Sequence, residues 1–112
     1  MEQLLFCSLL VLLLESKLRH KLRAEEKSHI IEKYFNDLGI WNKIKDGTLK
    51  THYLDGSPSK TYLGGTSRIL LHYDANGNHL ATTHRIIDEK TGQIFHWDAK
   101  GLLKDGVWLW CR

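Results

Sequence analysis

Histidine is the residue type in this sequence with the widest chemical use. Five of the seven histidines follow Thr51, on short segments that we predict to be strands, and they are His52, His72, His79, His84 and His96. An imidazole titrates near neutral pH, so it can act as a general acid, a general base or a metal ligand. Three interpretations therefore stay open: cleavage of RNA, metal binding, and a purely structural role.

Cleavage of RNA without a metal requires a base for the 2′-hydroxyl, an acid for the leaving oxygen and a cation for the charged transition state. In the sequence, His84 is followed by Arg85, and His96 is followed by Trp97 and then by Lys100. Neighbouring residues of a strand point to opposite faces, so His84 and Arg85 line one pocket only if a bulge intervenes. We predict that His84 and His96 form the catalytic pair, with Lys100 or Arg85 as the cation.

Other residues are candidates for binding the nucleic acid. Trp97 offers a ring on which a base can stack, and Arg68 adds a cation on an earlier predicted strand. A basic run near the N-terminus offers a patch for the phosphate backbone, and its cations are Lys17, Arg19, Lys21 and Arg23. The alternatives for this run are a solvated helix surface and a contact with anionic lipid.

The metal and structural interpretations use the same histidines. A metal site needs ligands that converge on one point, and His72 and His84 could provide them with Asp74 or Asp98 at strand ends. No local ligand pair such as HxH or HExxH occurs, so our predicted site contains no metal ligand, and we expect no cofactor. In the structural interpretation, each histidine fills a half-exposed strand position and bonds to its neighbours.

The elements that position these residues change character at Gly39. The 38 residues before it contain no Gly or Pro and are rich in Leu, Glu, Lys and Arg, which predicts a helical segment over 1–38. After Gly39, Asp-Gly or Asn-Gly pairs alternate with short β-rich runs, which predicts a β-meander over 40–112. We place its strands near 41–45, 48–54, 67–73, 78–88, 93–97 and 107–111.

We therefore expect a single α+β domain over 1–112. Its N-terminal helical segment packs on an antiparallel sheet of four to six strands built from hairpins. The hairpin of 67–88 turns at Asn76-Gly77, and a two-residue turn places Ile69 opposite His84. A bulged turn would move His84 to the other face. In the last strand, Trp108 and Trp110 share a face, and we favour the core for them over an exposed aromatic platform.

An apolar run begins at Leu4 and ends at Leu14. It is about half as long as the ~20 residues that a membrane-spanning helix needs. Basic residues follow the run, whereas they precede the apolar part of a secretory signal. We expect a helix that is buried in a homodimer or against a partner protein. The alternative is attachment to a membrane surface through this helix and its basic flank.

Composition narrows the class of protein further. The formal net charge of +3 permits an RNA partner without requiring one. Cys7 and Cys111 form no CxxC motif, so we expect reduced thiols and a cytoplasmic location, although their pairing stays open. The motifs of kinases, dehydrogenases, serine hydrolases and zincins are absent from the sequence.

Residues 72–78 read HYDANGN. This run resembles the YDxxGN core of the YD repeats in bacterial Rhs-type polymorphic toxins. The layout of a helix, a His-rich meander and a late His-Trp-Asp is also similar to small bacterial toxin domains, some of which are ribonucleases built from a helix and a sheet. The resemblance implies a toxin-like domain that binds or cleaves RNA.

The alternative function is a non-catalytic interaction module that dimerises or docks through its apolar N-terminal helix. The two functions differ in what they require of the histidines. Convergence of two or more histidines with Lys100 or Arg85 in one cleft would favour RNA cleavage, whereas scattered histidines would favour the interaction module.

Overall fold

The computed structural model describes residues 26–111. In this part of the chain, two helices precede six strands: α1 over 26–37, α2 (Ile40–Lys45), β1 (Lys50–Tyr53), β2 (Ser57–Pro58), β3 (Thr66–Tyr73), β4 (His79–Ile87), β5 (Ile94–Lys104) and β6 (Val107–Trp110). The strands form one antiparallel sheet in the order β1-β3-β4-β5-β6, and β2 pairs with the start of β3. This arrangement confirms the predicted α+β fold.

The prediction of a strand over 41–45 is wrong, because these residues belong to α2. Ile40 and Ile44 are four residues apart, which places both on one side of a helix, and both are buried there. Gly39, with φ at +65°, makes the left-handed turn between α1 and α2, as expected for a residue that ends a helix. A run of this length is too short for its periodicity to distinguish a helix from a strand.

The hairpin of β3 and β4 has the predicted register over most of its length. Gly77 takes a φ of +82° in the turn, and Ile69 lies opposite His84. Close to the turn the register shifts by one residue, so that Tyr73 lies opposite His79. The bulge is confined to this end, and His84 therefore keeps the face that the two-residue turn predicts.

The two helices cover one face of the sheet, which we call the helix face. Its buried core consists of Ile31, Phe35, Ile40, Ile44, Leu49, Ala81, Ala99 and Leu102. The backbone N–H of Ala99 donates to the Glu32 carboxylate of α1 at 3.0 Å, and Trp97 packs edge-on against Trp41 with ring centroids 5.4 Å apart. Since side chains alternate along a strand, His96 and Asp98 lie on the opposite face, which we call the outer face.

Several predictions concern residues outside 26–111. They include the helix over the 4–14 segment, the choice between one and two helices before Gly39, and the basic run with Lys17, Arg19, Lys21 and Arg23. These stay predictions. Among the described residues, no helix is both long enough and apolar enough to cross a membrane.

Candidate functional site

Five polar side chains from three neighbouring strands meet on the outer face. They are Ser67 on β3, His84 on β4, and His96, Asp98 and Lys100 on β5, and we call them the histidine cluster. His84 lies directly opposite Asp98 in the ladder. The centroids of the His84 and His96 rings are 5.8 Å apart. Two imidazoles and a lysine are thus within reach of a single bound group.

Asp98 lies at the centre of the histidine cluster. Its Oδ2 forms an ion pair with Lys100 Nζ at 2.9 Å. Its Oδ1 is 3.0 Å from His96 Nε2 and 3.4 Å from His84 Nδ1, yet this oxygen is buried and accepts no well-aligned hydrogen bond. The atoms are close enough for contact, but their relative directions are poor for a hydrogen bond. Oδ1 can therefore still accept a proton or a cation that lies between it and the rings.

Ser67 contacts His84 from the side opposite to Asp98. The Oγ of Ser67 and the Nε2 of His84 are 2.6 Å apart, in a hydrogen bond whose donor depends on the tautomer of the ring. When Ser67 donates, the ring proton sits on Nδ1 and faces Asp98. When the ring donates from Nε2, the Nδ1 lone pair faces Asp98. The serine therefore fixes the ring orientation in both tautomers.

The histidine cluster is accessible to solvent. The side chain of His96 is 42% exposed, while those of His84 and Asp98 are 23% and 26% exposed. The segment between β2 and β3 borders one end, where a Cβ on Gly65 would lie 2.8 Å from the Ile86 side chain. The described helices pack on the other face, so a substrate can approach the two imidazoles from the outer face.

Four rings lie in a row along the outer face, from the turn between β3 and β4 to strand β6. They are Tyr73, His79, Trp108 and Trp110. His79 contacts Tyr73 and Trp108 with centroid separations of 5.2 and 4.6 Å, and Trp108 stacks on Trp110 at 4.9 Å. A Cβ on Gly101 would lie 2.5 Å from the Trp110 ring, so that ring lies flat over the backbone beside Lys100. We call these four rings the aromatic run.

The tryptophans of the aromatic run do not belong to the core, contrary to the interpretation that we favoured. Trp110 is 50% exposed. The physical reason is that β6 lies at the edge of the described sheet, where it has one neighbouring strand among residues 26–111. Leu109, on the alternate face of the same strand, packs against the core.

Three other predicted site residues lie away from the histidine cluster. The Arg85 guanidinium lies near the rings of Tyr53 and Trp97, at 5.2 and 5.4 Å from their centroids, on the helix face. Arg85 and Trp97 thus point away from the histidine cluster, as strand alternation requires. Arg68 is engaged in an ion pair with Glu89 at 2.7 Å. Of the two predicted cations, only Lys100 joins the histidines.

His72, which we considered as a metal ligand together with His84, lies on the helix face and is fully buried. Its Nδ1 is 2.9 Å from Thr51 Oγ1 and its Nε2 is 2.8 Å from Thr83 Oγ1. Burial lowers the pKa of His72 to about 4, and the nearby positive groups add to this effect. The ring is therefore neutral at pH 7 and has a partner at each nitrogen, which is a structural role.

Sequence reasoning missed Ser67, and it placed Asp98 only among the candidate metal ligands. The predicted register contained a signal for Ser67. It lies two residues before Ile69, and Ile69 is the predicted partner of His84. Such a residue is a diagonal neighbour on the same face. For Asp98 the signal was weaker, since two irregularities shift the β4–β5 register.

No protein-family model, curated protein or solved structure matches this chain. The interpretation of the histidine cluster therefore rests on its geometry and its chemistry.

Proposed function

We propose that this protein is a toxin-like domain that cleaves single-stranded RNA without a metal ion, in the cytoplasm. One observation carries the proposal: the two imidazoles of His84 and His96 share one accessible face, with ring centroids 5.8 Å apart and with Lys100 beside them. Two rings at this separation can contact the same phosphodiester, one at the attacking oxygen and one at the leaving oxygen.

The reaction is a transesterification. One imidazole takes the proton of the 2′-hydroxyl, and the 2′-oxygen forms a bond to phosphorus. The bond from phosphorus to the 5′-oxygen breaks, and the other imidazole donates a proton to that oxygen. The products are a 2′,3′-cyclic phosphate and a 5′-hydroxyl, so no oxidant, reductant or water is consumed in this step.

The contacts around each ring support a division of the two roles. Ser67 and Asp98 flank His84 on its two nitrogens and hold the ring in a fixed orientation, and the ring acts as the base when the 2′-hydroxyl takes the place of Ser67 at Nε2. The Asp98 carboxylate also offsets the positive charge that appears on His84 as it takes the proton. His96 is the more exposed ring and suits the acid, which must reach the leaving group.

Lys100 provides the cation of the proposed site. Its Nζ is anchored by Asp98 Oδ2 at 2.9 Å, so the positive charge is placed before the substrate arrives. A placed charge is worth more to a transition state than a mobile one, because it needs no reorganisation when the phosphorane charge develops.

The aromatic run supports a single-stranded substrate. Trp110 and Trp108 present stacked, partly exposed rings next to Lys100, and unpaired bases stack on such rings regardless of sequence. In a duplex the bases are already stacked on one another and do not reach these rings. The expected substrate is therefore an unpaired segment, with a base near the scissile phosphate lying on Trp110.

The same residues do not favour a serine-nucleophile reaction, although His84 lies between Ser67 and Asp98 as the histidine of a hydrolase triad does. Ser67 is paired with Ile86 on one side and with Ser57 on the other. The backbone at Ser67 lies within the ladders, so it does not provide the donors of an oxyanion hole.

The test uses the full chain and two labelled oligonucleotides of the same sequence, one RNA and one fully 2′-deoxy. We expect cleavage of the RNA alone, a 2′,3′-cyclic phosphate end, and no change on addition of EDTA. His84→Ala and His96→Ala should each lower the rate by about 10²- to 10⁴-fold. His52→Ala is the matched control, because His52 is exposed at the sheet edge, and it should keep the wild-type rate.

Three results would overturn the proposal: an intact RNA pool, cleavage of the 2′-deoxy strand, or loss of activity with EDTA. The interaction module predicts intact RNA together with loss of assembly in Leu9→Asp or Leu13→Asp. That pattern would assign the function to the 4–14 segment and its homodimer or protein partner.

A further inference from the structure

The three central atoms of the histidine cluster have the spacing of metal ligands. One ligand atom each of His84, His96 and Asp98 lies within 4.8 Å of the other two. The separations from Asp98 Oδ1 to His84 Nδ1 and His96 Nε2 are 3.4 and 3.0 Å. A tetrahedral zinc ion, about 2.0–2.2 Å from each nitrogen or oxygen ligand, holds its ligands roughly 3.3–3.5 Å apart. Two of the three separations are therefore already close to the required value.

The surrounding contacts orient these atoms as metal-binding proteins orient their ligands. Ser67 Oγ, at 2.6 Å, occupies the second nitrogen of His84, and such a partner on the non-ligating nitrogen is typical of metal-bound histidines. Lys100 holds Asp98 Oδ2, while the buried Oδ1 accepts no aligned hydrogen bond. In the tautomer with the proton on Nε2, the Nδ1 lone pair faces Oδ1, and these two atoms repel each other unless a cation lies between them.

The ligand types select the metal. Two imidazole nitrogens and one carboxylate oxygen suit Zn²⁺ and its neighbours in the first transition row, whereas Mg²⁺ and Ca²⁺ prefer oxygen ligands throughout. The exposed side of His96 leaves room for a water as the fourth ligand. The charge of Lys100 opposes the cation, so we expect affinity below that of a structural zinc site.

From this geometry we infer that His84, His96 and Asp98 bind Zn²⁺, and that the ion inhibits the protein. The inhibition rests on the proposed function, whereas the binding does not. An ion on His84 Nδ1 leaves the ring proton on Nε2, so the ring cannot take the 2′-hydroxyl proton there. The ion also occupies the His96 nitrogen that would carry the proton for the leaving oxygen. It acts as a competitor for the site and not as a cofactor.

The binding test titrates ZnCl₂ into the full chain in a non-chelating buffer by calorimetry. We expect one ion per chain and no binding of MgCl₂. Asp98→Asn and His96→Ala should each weaken zinc binding by tenfold or more, and Ser67→Ala should weaken it by about 10-fold through the loss of the bond that orients His84. His52→Ala is the control and should leave the affinity unchanged. Zinc binding that is equal in wild type, His96→Ala and Asp98→Asn would overturn the site.

The activity arm separates this inference from the proposed function. We expect ZnCl₂ to inhibit RNA cleavage over the same concentration range as it binds, and EDTA to restore the rate. Cleavage without any zinc binding would overturn the inference and leave the proposed function intact. Zinc binding without inhibition would support the metal site and contradict the catalytic role of the two histidines. Stimulation by zinc would make the ion a cofactor and overturn both the inhibition and the metal-independent reaction.

Discussion

His72 and the pair of His84 and His96 lie on opposite faces of the same sheet. His72 is fully buried on the helix face, with a threonine hydroxyl at each ring nitrogen. His84 and His96 are partly exposed around Asp98, one of whose oxygens accepts no aligned hydrogen bond. The residue type is the same, but both nitrogens of His72 are bonded to hydroxyls inside the fold, whereas the other two rings face a carboxylate oxygen without an aligned bond, and His96 is 42% exposed.

The comparison shows that the face of the sheet decides how each histidine is surrounded in this fold. Strand alternation assigns each residue to a face, and the helices then cover one face and leave the other accessible. On the covered face an unpaired nitrogen would be costly, so His72 is satisfied by two threonines. On the outer face water can serve as the partner until a ligand replaces it.

The largest expected difference in rate is between variants of the two predicted cations, Lys100 and Arg85, which lie on opposite faces of the sheet. Lys100→Ala should lower kcat for RNA cleavage by about 10²- to 10³-fold, because it removes the placed charge on the outer face. Arg85→Ala should change kcat by only a few-fold, because that guanidinium lies near Tyr53 and Trp97 on the helix face. Single-turnover cleavage assays measure both. An equal loss in the two variants would contradict the division of roles between the faces.

The next effect concerns stability. His72→Ala should lower the free energy of unfolding by about 2–4 kcal/mol, because it leaves a cavity and two buried hydroxyls without their partner. His96→Ala should change it by about 0.5 kcal/mol or less, as expected for a partly exposed position. Unfolding in guanidinium chloride compares the two variants with the wild type. A stability loss in His96→Ala as large as that in His72→Ala would show that the histidine cluster is structural.

The depressed pKa of His72 predicts how stability depends on pH. The unfolded chain takes up a proton on this ring near pH 6.5, whereas the folded protein does so only near pH 4. Between these values the unfolded state binds more protons, so the free energy of unfolding falls as the pH falls from about 6.5 to 4, by up to about 3 kcal/mol. Above pH 7 this contribution is constant. Urea unfolding at several pH values should give a flatter profile for His72→Gln, and identical profiles would refute the assignment.

The smallest effect concerns substrate binding along the aromatic run. Trp110→Ala should weaken binding of a labelled 2′-deoxy single strand by about 1–3 kcal/mol, because one stacked base loses its ring. KM for RNA should rise while kcat changes little, since Trp110 does not belong to the histidine cluster. Leu63→Ala is the control, as Leu63 is fully exposed outside the run. Fluorescence anisotropy measures the binding, and equal affinity in the two variants would remove the aromatic run from the site.

The amino-acid sequence was sufficient for features that depend on neighbours in the chain. Turn residues and alternation predicted the meander, the positive φ of Gly77 and the pairing of Ile69 with His84, because a short turn sets the register of its own hairpin. The same kind of reasoning predicted a helix end at Gly39. It was wrong for α2, where six residues carry too little periodicity to distinguish a helix from a strand.

The features that make the site depend on contacts between residues far apart in the chain. The Glu32 carboxylate binds the backbone of Ala99, 67 residues away, which helps to hold α1 against the helix face and leaves His96 and Asp98 on the outer one. The position of Asp98 between the two rings depends on a β4–β5 register that irregularities shift twice. Local propensities do not encode such shifts, because they arise from packing among strands and helices that the folded chain alone brings together.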